Sequence, residues 1–412
     1  MAQKNYKLLV LDVDGTLLND KKEISKYTHA SLMKAQNTGI RVVLASGRPT
    51  CGVKPVAETL ELEKYGGYYM SYNGSKIFDA SSGQLIYEKS VEPEIMPFLQ
   101  KEAGKYGLAM FTYNRNIILT DSPDNKYIRQ EAELNKMQIV ETKQFSDDPG
   151  FTIHKVMMVG EPEKLIPLEK RMQKRLNGTV NVFHSEPYFL EFAPENIDKA
   201  NTLGVLLDKI NVSANEIIAI GDGTCDYGMI QLAGLGIAMG NAQTSVKACA
   251  DYTTLSNNED GVAVAVETAV LSVLPPPNII LKQLNANTGR SLIGNLGIEY
   301  TYASSERVEA IMPVDHRTRQ PFGILHGGAS LALAETLAGV GSMLGCSPDE
   351  LTVGMQVSGN HVSSAHEGDT VRAVATIIHK GRSSHVWNVD IFTSTDKLVS
   401  SIRVINSILK RK

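Results

Sequence analysis

The chain has 412 residues, 42% of them hydrophobic and 21% charged. That is enough apolar material for full cores, which excludes wholesale disorder or a low-complexity fibre. The 41 Lys and Arg against 45 Asp and Glu give a net charge of -4, with no basic excess for nucleic acid to neutralise, so nucleic acid is not an expected partner.

A chain of this length predicts roughly two or three domains. Leu8–Val13 reads as a short apolar strand. Asp12 and Asp14 interrupt it too early for a secretion signal, so a cytoplasmic protein is expected. Ser25 caps a predicted helix running to about Asn37, which Gly39 ends. Arg41–Ala45 is a second strand, Ile217–Ile220 a third, and another lies near Leu235–Met239. Apolar strands alternating with helices predict a parallel sheet covered on both faces. Between them the pattern changes to short strands and charged helices such as Glu163–Leu176, which predicts a smaller α/β insert. The expected division is a core from 1–80 and 190–274, with the insert at 81–189. Pro275-Pro276-Pro277 predict an extended spacer over 275–282, before a last domain at 283–412.

That last domain has one apolar helix, about Gly328–Leu344, followed by runs of two-residue alternation. In His385–Phe392, Trp387, Val389 and Ile391 share one face while Asn388 and Asp390 share the other. Thr370–Ile378 and Lys397–Ile408 alternate less cleanly. An antiparallel sheet against a single helix is expected. The run Gly327–Cys346 holds five glycines and a central Glu335, a poor membrane span, so no membrane partner is expected. Cys51, Cys225, Cys249 and Cys346 show no paired spacing, which predicts neither a zinc site nor a disulfide framework.

Asp12 and Asp14 stand at the carboxyl end of the first strand, the edge where open α/β sheets bind ligands. One carboxylate can attack phosphorus while the other handles the leaving-group proton. A second acidic pair, Asp222 and Asp226, follows another buried strand. Four converging carboxylates repel one another, and a hard divalent ion such as Mg²⁺ offsets that. Ser46 ends the second strand and is placed to hold a phosphoryl oxygen, with Lys199 supplying positive charge. An isolated Asp-x-Asp pair is usually a turn or a solvated cap. The conjunction at strand ends is what points to chemistry.

These residues carry a resemblance. Asp12-Val-Asp14-Gly-Thr-Leu, Ala45-Ser-Gly-Arg48, Asp198-Lys199 and Gly221-Asp-Gly resemble the four motifs of the haloacid dehalogenase superfamily. Ala238-Met-Gly-Asn-Ala242 and Asn258-Glu-Asp-Gly-Val262 resemble its Cof-type phosphatase branch. The resemblance covers about residues 5–272. It implies a Rossmann-like α/β core with an inserted α/β cap, and a Mg²⁺-dependent phosphatase acting on a small phosphate ester. Asp12 would be the nucleophile that becomes an aspartyl phosphate, and Asp14 the general acid and base. Mg²⁺ would be held by Asp12, the main-chain carbonyl of Asp14 and Asp222, with Asp226 behind them. Ser46, Gly47, Arg48, Lys199 and Asn241 would grip the substrate. The branch carries Asn where Cys225 stands, and a thiol is a poor partner for Mg²⁺. Cys225 is then either a small filler in an active site or the mark of an impaired one.

Glu335 is the only charged residue between Gly327 and Cys346, and its neighbours offer no polar face to place it in water. Burial of Glu335 is therefore expected. An unpaired buried carboxylate costs several kcal/mol, so a catalytic task is expected over a structural one. Gly327 and Gly328 open the helix with outward N–H groups, a natural hole for an oxyanion. Glu335 lies eight residues on, roughly 12 Å along a helix, too far for both to flank one carbonyl carbon. Glu335 is expected to meet the helix start of a second chain, which predicts an obligate dimer with composite sites.

Gln320-Pro-Phe-Gly-Ile-Leu-His326-Gly-Gly-Ala-Ser330, Leu333-Ala-Glu335, Gly359-Asn-His361 and Val386-Trp387 resemble the hotdog-fold acyl-CoA thioesterases over about residues 283–410. They are most similar to the branch hydrolysing 1,4-dihydroxy-2-naphthoyl-CoA in menaquinone biosynthesis. The resemblance implies an α+β domain and an aromatic acyl-CoA substrate, with no metal. It also implies a homodimer or homotetramer. Glu335 would be nucleophile or general base, and the N–H of Gly327, with Gly328 beside it, would polarise the carbonyl. His326 and Gln320 would orient substrate or water, and His361 would line the acyl pocket. Relatives often carry a hydroxyl one turn after the acid, where Gly339 stands here. The expectation is a bifunctional hydrolase. Two alternatives stay open: a thioesterase joined to an impaired phosphatase-like binding module, or a proofreading thioesterase for aryl carrier proteins.

Overall fold

The first apolar run forms β1 (Leu8–Asp12), whose five residues are all buried. A computed structural model describes residues 6–145, 148–271, 277–286, 288, 291–347 and 350–410. The chain divides into two compact units, Tyr6–Ala263 and everything from Val264 on.

In the first unit, β1 is flanked by β2 (Arg41–Ala45) and then β3 (Tyr68–Ser71), β4 (Lys76–Asp79) and β5 (Leu85–Glu88). On its other side follow β12 (Ile217–Gly221), β13 (Leu235–Ala238) and β14 (Tyr252–Thr253). This eight-stranded sheet has the order β14-β13-β12-β1-β2-β3-β4-β5. Its strands are parallel except at β4 and β5, which extend it as an antiparallel hairpin. Ser25 caps the helix Lys26–Asn37 by accepting from Thr28 N at 3.0 Å.

The cap sheet holds β6 (Ala109–Asn114), β7 (Ile117–Thr120), β8 (Gln138–Glu141), β9 (Val156–Val159), β10 (Val180–Glu186) and β11 (Phe189–Pro194). Its order is β10-β11-β9-β6-β7-β8, and it has its own core around Met110, Leu190 and Phe192. The expected borders at residues 80 and 190 therefore need correction. Gly74, at φ 105°, turns the chain so that β4 pairs back onto β3, and β5 follows it in the core sheet. The cap sheet runs on to Pro194.

In the second unit, Pro277–Ala286 is a helix rather than the end of an extended spacer. Proline at a first helical position loses no bond, because its missing N–H has no partner there. The rest of the expected spacer, up to residue 276, lies outside the described residues.

The sheet of this unit contains β15 (Glu299–Ala303), β16 (Arg307–Pro313), β17 (Glu350–His361), β18 (Thr370–Lys380), β19 (Ser384–Phe392) and β20 (Leu398–Lys410). It is antiparallel throughout, ordered β15-β16-β18-β19-β20-β17. The helix Gly327–Leu344 packs on it through Leu333, Leu337, Ala338 and Gly341. The expected inward residues Trp387, Val389 and Ile391 are all fully buried. The Trp387 indole N–H and the Asn406 amide both donate to Ser342 Oγ at 2.9 Å, which satisfies the polar groups inside this core. No described helix is long and apolar enough to cross a membrane.

Candidate active sites

In the first unit, the strand ends bring Asp12, Asp222 and Asp226 together, with one oxygen from each within 4.8 Å of the others. Lys199 reaches this group from the start of the helix Lys199–Lys209, whose cap is Asp198. Its Nζ lies 2.5 Å from Asp12 Oδ1 and 2.6 Å from Asp226 Oδ1. Burial works against the Lys199 charge, but Asp12 and Asp226 outweigh it and hold the ammonium well above its usual range. Burial, followed by Asp226, pushes the Asp12 carboxyl well up, and Lys199 opposes them. One ammonium cannot balance three clustered carboxylates. The all-oxygen donor set and its surplus negative charge fit a hard divalent cation such as Mg²⁺.

Asp226 is already engaged on both oxygens. Oδ1 takes Lys199, and Oδ2 accepts from the Asp222 and Gly223 N–H groups at 3.0 Å. It shapes the loop that presents Asp222. Thr16 Oγ1 donates to Asp222 Oδ1 at 2.8 Å. Gly15 has φ 79°, and a Cβ there would stand 2.5 Å from Asp222 Oδ2, so the Asp14–Thr16 turn admits only glycine.

The Asp14 carboxylate points away from this group. It receives Arg48 Nε and Nη2, both at 2.6 Å, and Lys22 Nζ at 2.8 Å. Burial would push the Asp14 carboxyl up, but Arg48 and then Lys22 outweigh it and hold it below the usual range. Arg48, expected on the substrate, is thus spent on Asp14. Asn241 likewise donates to the Gly15 carbonyl at 2.8 Å. Ser46 is buried and accepts from the Arg48 N–H at 3.1 Å. The Gly47 carbonyl accepts from the cap's Lys155 at 3.1 Å, and Lys155 pairs with buried Glu191. Cys225 is exposed, with its sulfur 3.7 Å from Asp226 Oδ1. Burial pushes its thiol up to about 12, so it stays neutral beside Asp226.

In the second unit, His326 caps the helix Gly327–Leu344, and its Nδ1 accepts from the Gly328 N–H at 2.8 Å. The Gly328 N–H, expected on the substrate, is therefore committed. The Gly327 N–H has no acceptor among the described residues. The His361 imidazole packs against Gly327, where a Cβ would stand 2.6 Å from Nε2, and its Nδ1 is 2.9 Å from Ser400 Oγ. Gln320 closes the turn leading into this helix through main-chain bonds with Ile324 and Gly323. At that turn Phe322 is 86% exposed.

Glu335 is exposed, which corrects the expected burial. The helix is apolar on two faces, and its own sheet covers only one. Glu335 stands on the other with Leu331, Gly339 and Met343. It leans over β17, where a Cβ at Gly354 would stand 2.5 Å from Glu335 Oε1. Beside it opens a cavity of about 390 Å³, and nothing lies within 4 Å of where a Cβ at Gly339 would stand. Gly354→Ala is expected to push the flexible carboxylate aside without unfolding the chain. Melting should be little changed.

A family model described as haloacid dehalogenase-like hydrolase matches residues 9–266, and one for the thioesterase superfamily matches residues 322–400. The 1,4-dihydroxy-2-naphthoyl-CoA hydrolase of Escherichia coli is 41% identical over 131 residues, spanning 32% of this chain and 96% of that protein. The chain belongs to the haloacid dehalogenase-like hydrolases and carries a thioesterase-superfamily domain. The 5-amino-6-(5-phospho-D-ribitylamino)uracil phosphatase of Bacillus subtilis is 32% identical over 267 residues, covering 65% of this chain and 97% of that enzyme. A crystal structure of a haloacid dehalogenase-like hydrolase from Bacteroides thetaiotaomicron is 49% identical, with a TM-score of 0.61. It covers 64% of this chain and 99% of that one. Both parts are therefore of hydrolase families, on the Rossmann-like and antiparallel folds described above.

Several residues around the haloacid dehalogenase-like site escape sequence reasoning. Thr16 could have been found from its place in the Asp-Gly-Thr run. Lys22 could not, because nothing in its local sequence ties it to Asp14. Lys155 and Glu191 come from the cap, and only the fold brings them to Gly47. In the thioesterase domain, Gly354 and Ser400 lie on strands distant in sequence from the residues they support.

Proposed function

We propose that this chain hydrolyses two unlike esters at two separate centres. The first is a small phosphate ester. Asp12 attacks phosphorus and becomes an aspartyl phosphate. Asp14, once released from Arg48 and Lys22 and protonated, gives its proton to the leaving alkoxide and then takes one from the water that frees phosphate. Lys199 offsets the negative charge of the reacting group. Mg²⁺ held by Asp12, Asp222 and the Asp14 carbonyl would stabilise charge on the phosphoryl oxygens. The observation that carries this reading is the cluster of buried Asp12 and Asp226 on Lys199 with half-buried Asp222 beside them, assembled with Cys225 in place.

The second substrate is an aromatic acyl-CoA thioester, with 1,4-dihydroxy-2-naphthoyl-CoA as the leading candidate from the Escherichia coli relative. Glu335 draws a proton from a water that attacks the thioester carbon and passes it to the departing sulfur, or it attacks the carbon itself and forms a mixed anhydride, which water then hydrolyses to free the acid while supplying the thiol proton. The uncommitted Gly327 N–H receives the oxyanion, and CoA leaves as the thiol. Since the two groups cannot meet along one helix, a second copy closes the site over the bare helix face. The open Gly327 N–H, with Glu335 out of its reach on an uncovered face, carries this reading.

The test compares CoA release from 1,4-dihydroxy-2-naphthoyl-CoA with release of an aryl group from a carrier-protein thioester. A preference for the CoA ester of tenfold or more in kcat/KM is expected. The reverse preference would make the domain a proofreading thioesterase.

A further inference from the structure

The cavity beside Glu335 is lined by apolar side chains, Leu292, Ile293, Val340 and Met343, and by three residues with hydroxyls, Tyr300, Thr336 and Thr352. The hydroxyls of Tyr300 and Thr352 are buried, and neither has a hydrogen-bond partner among the described residues. Buried polar groups without partners are rare, and each one asks what satisfies it. The two come from opposite edges of the sheet, Tyr300 from β15 and Thr352 from β17, yet they face one cavity because the sheet wraps the helix. Tyr300 is held firmly: its N–H donates to Asn285 Oδ1 at 2.8 Å and its carbonyl accepts from Asn285 Nδ2 at 2.9 Å. Only 3% of the residue is exposed. Burial pushes its hydroxyl up to about 12, so it stays protonated and able to donate.

We propose that Tyr300 and Thr352 are specificity residues that hydrogen-bond ring oxygens of the acyl group. The apolar wall takes the flat ring, and the two unpaired hydroxyls read polar groups on its edge. The ligand class is therefore an aromatic acyl thioester bearing ring hydroxyls, and an unsubstituted aryl group would leave both side chains unpaired. A site built to bond a substrate hydroxyl rejects the analogue that lacks it, because its own polar groups are then stranded. This inference rests on the thioesterase reading, since the cavity matters to specificity only if Glu335 works at its mouth.

The test measures kcat/KM for 1-hydroxy-2-naphthoyl-CoA, 1,4-dihydroxy-2-naphthoyl-CoA and 2-naphthoyl-CoA with the full chain. The native protein is expected to favour the hydroxylated esters by tenfold or more. Tyr300→Phe and Thr352→Val should each reduce that preference about tenfold. A role in packing alone would slow all three esters alike and leave their ratio in place, which would overturn the proposal. A native protein with no preference would overturn it too. If Tyr300→Phe fails to fold, Thr352→Val carries the same ratio test from the other edge. Glu335→Gln separates the two ideas. It should abolish hydrolysis of every ester, and if it does not, the thioesterase reading fails before the question of specificity arises.

Discussion

Glu335→Gln is expected to lower thioester hydrolysis at least about a thousandfold while leaving phosphate release intact. Gln keeps the shape of the side chain and its contact with Gly354, but it is neither a nucleophile nor a base. Losing a nucleophile or its base in other hydrolases costs on the order of 10⁴ to 10⁶ in kcat, and what survives comes from the oxyanion hole and binding. The residue is exposed on the helix surface of the single chain, so the change should barely move melting. A fall in kcat with KM steady would mark loss of chemistry. Activity within twofold of native would remove Glu335 from the mechanism.

Asp12→Asn is expected to abolish phosphate release, by about 10⁴-fold or more, and to leave CoA release untouched. Asn can accept from Lys199 but cannot form the aspartyl phosphate. Its effect on stability has two opposing parts. One of three clustered carboxylates is removed, which relieves the repulsion that pushes the Asp12 carboxyl up. Lys199 loses one of its two charged partners. The net change should be small, and thermal unfolding checks it. Chelation of divalent ions should copy the loss of phosphate release, with recovery on adding Mg²⁺, and spare thioester hydrolysis. Silence of the native chain across a broad phosphate-ester panel would instead leave the first unit a binding module.

Much of the fold is legible where local signals agree. Ser25 and Asn37 bound a helix because the cap and the apolar spacing both point there. Arg41–Ala45 is a strand because its apolar run is buried on both sides of the sheet. β17 is not legible: Gly354, Gly359 and Asn360 spoil its alternation, and most of its residues are exposed. The exposure of Glu335 is not legible in the sequence, for a physical reason. A helix apolar on two faces reads the same whether its own sheet or another chain covers the second face. The acidic motif residues were legible because they cluster at strand ends. Their detailed pairing was not, since Arg48 reaches Asp14 across 34 positions and Lys155 reaches Gly47 across 108.

Mixed oligomers test the composite thioesterase site most directly. One chain carries Glu335→Gln. The other carries Gly327→Pro, which deletes the oxyanion N–H at a first helical position, where proline breaks no helix bond and follows the extended His326, while its Cβ pushes the exposed His361 imidazole of the same chain aside. Each variant alone should be folded and inactive. Co-expressed in equal amounts, they should regain about a quarter of native activity, because half the dimers are mixed and each of those has one intact site. If the mixture stays as inactive as its components, Glu335 and Gly327 do not act across a subunit boundary, and the proposed mechanism is wrong.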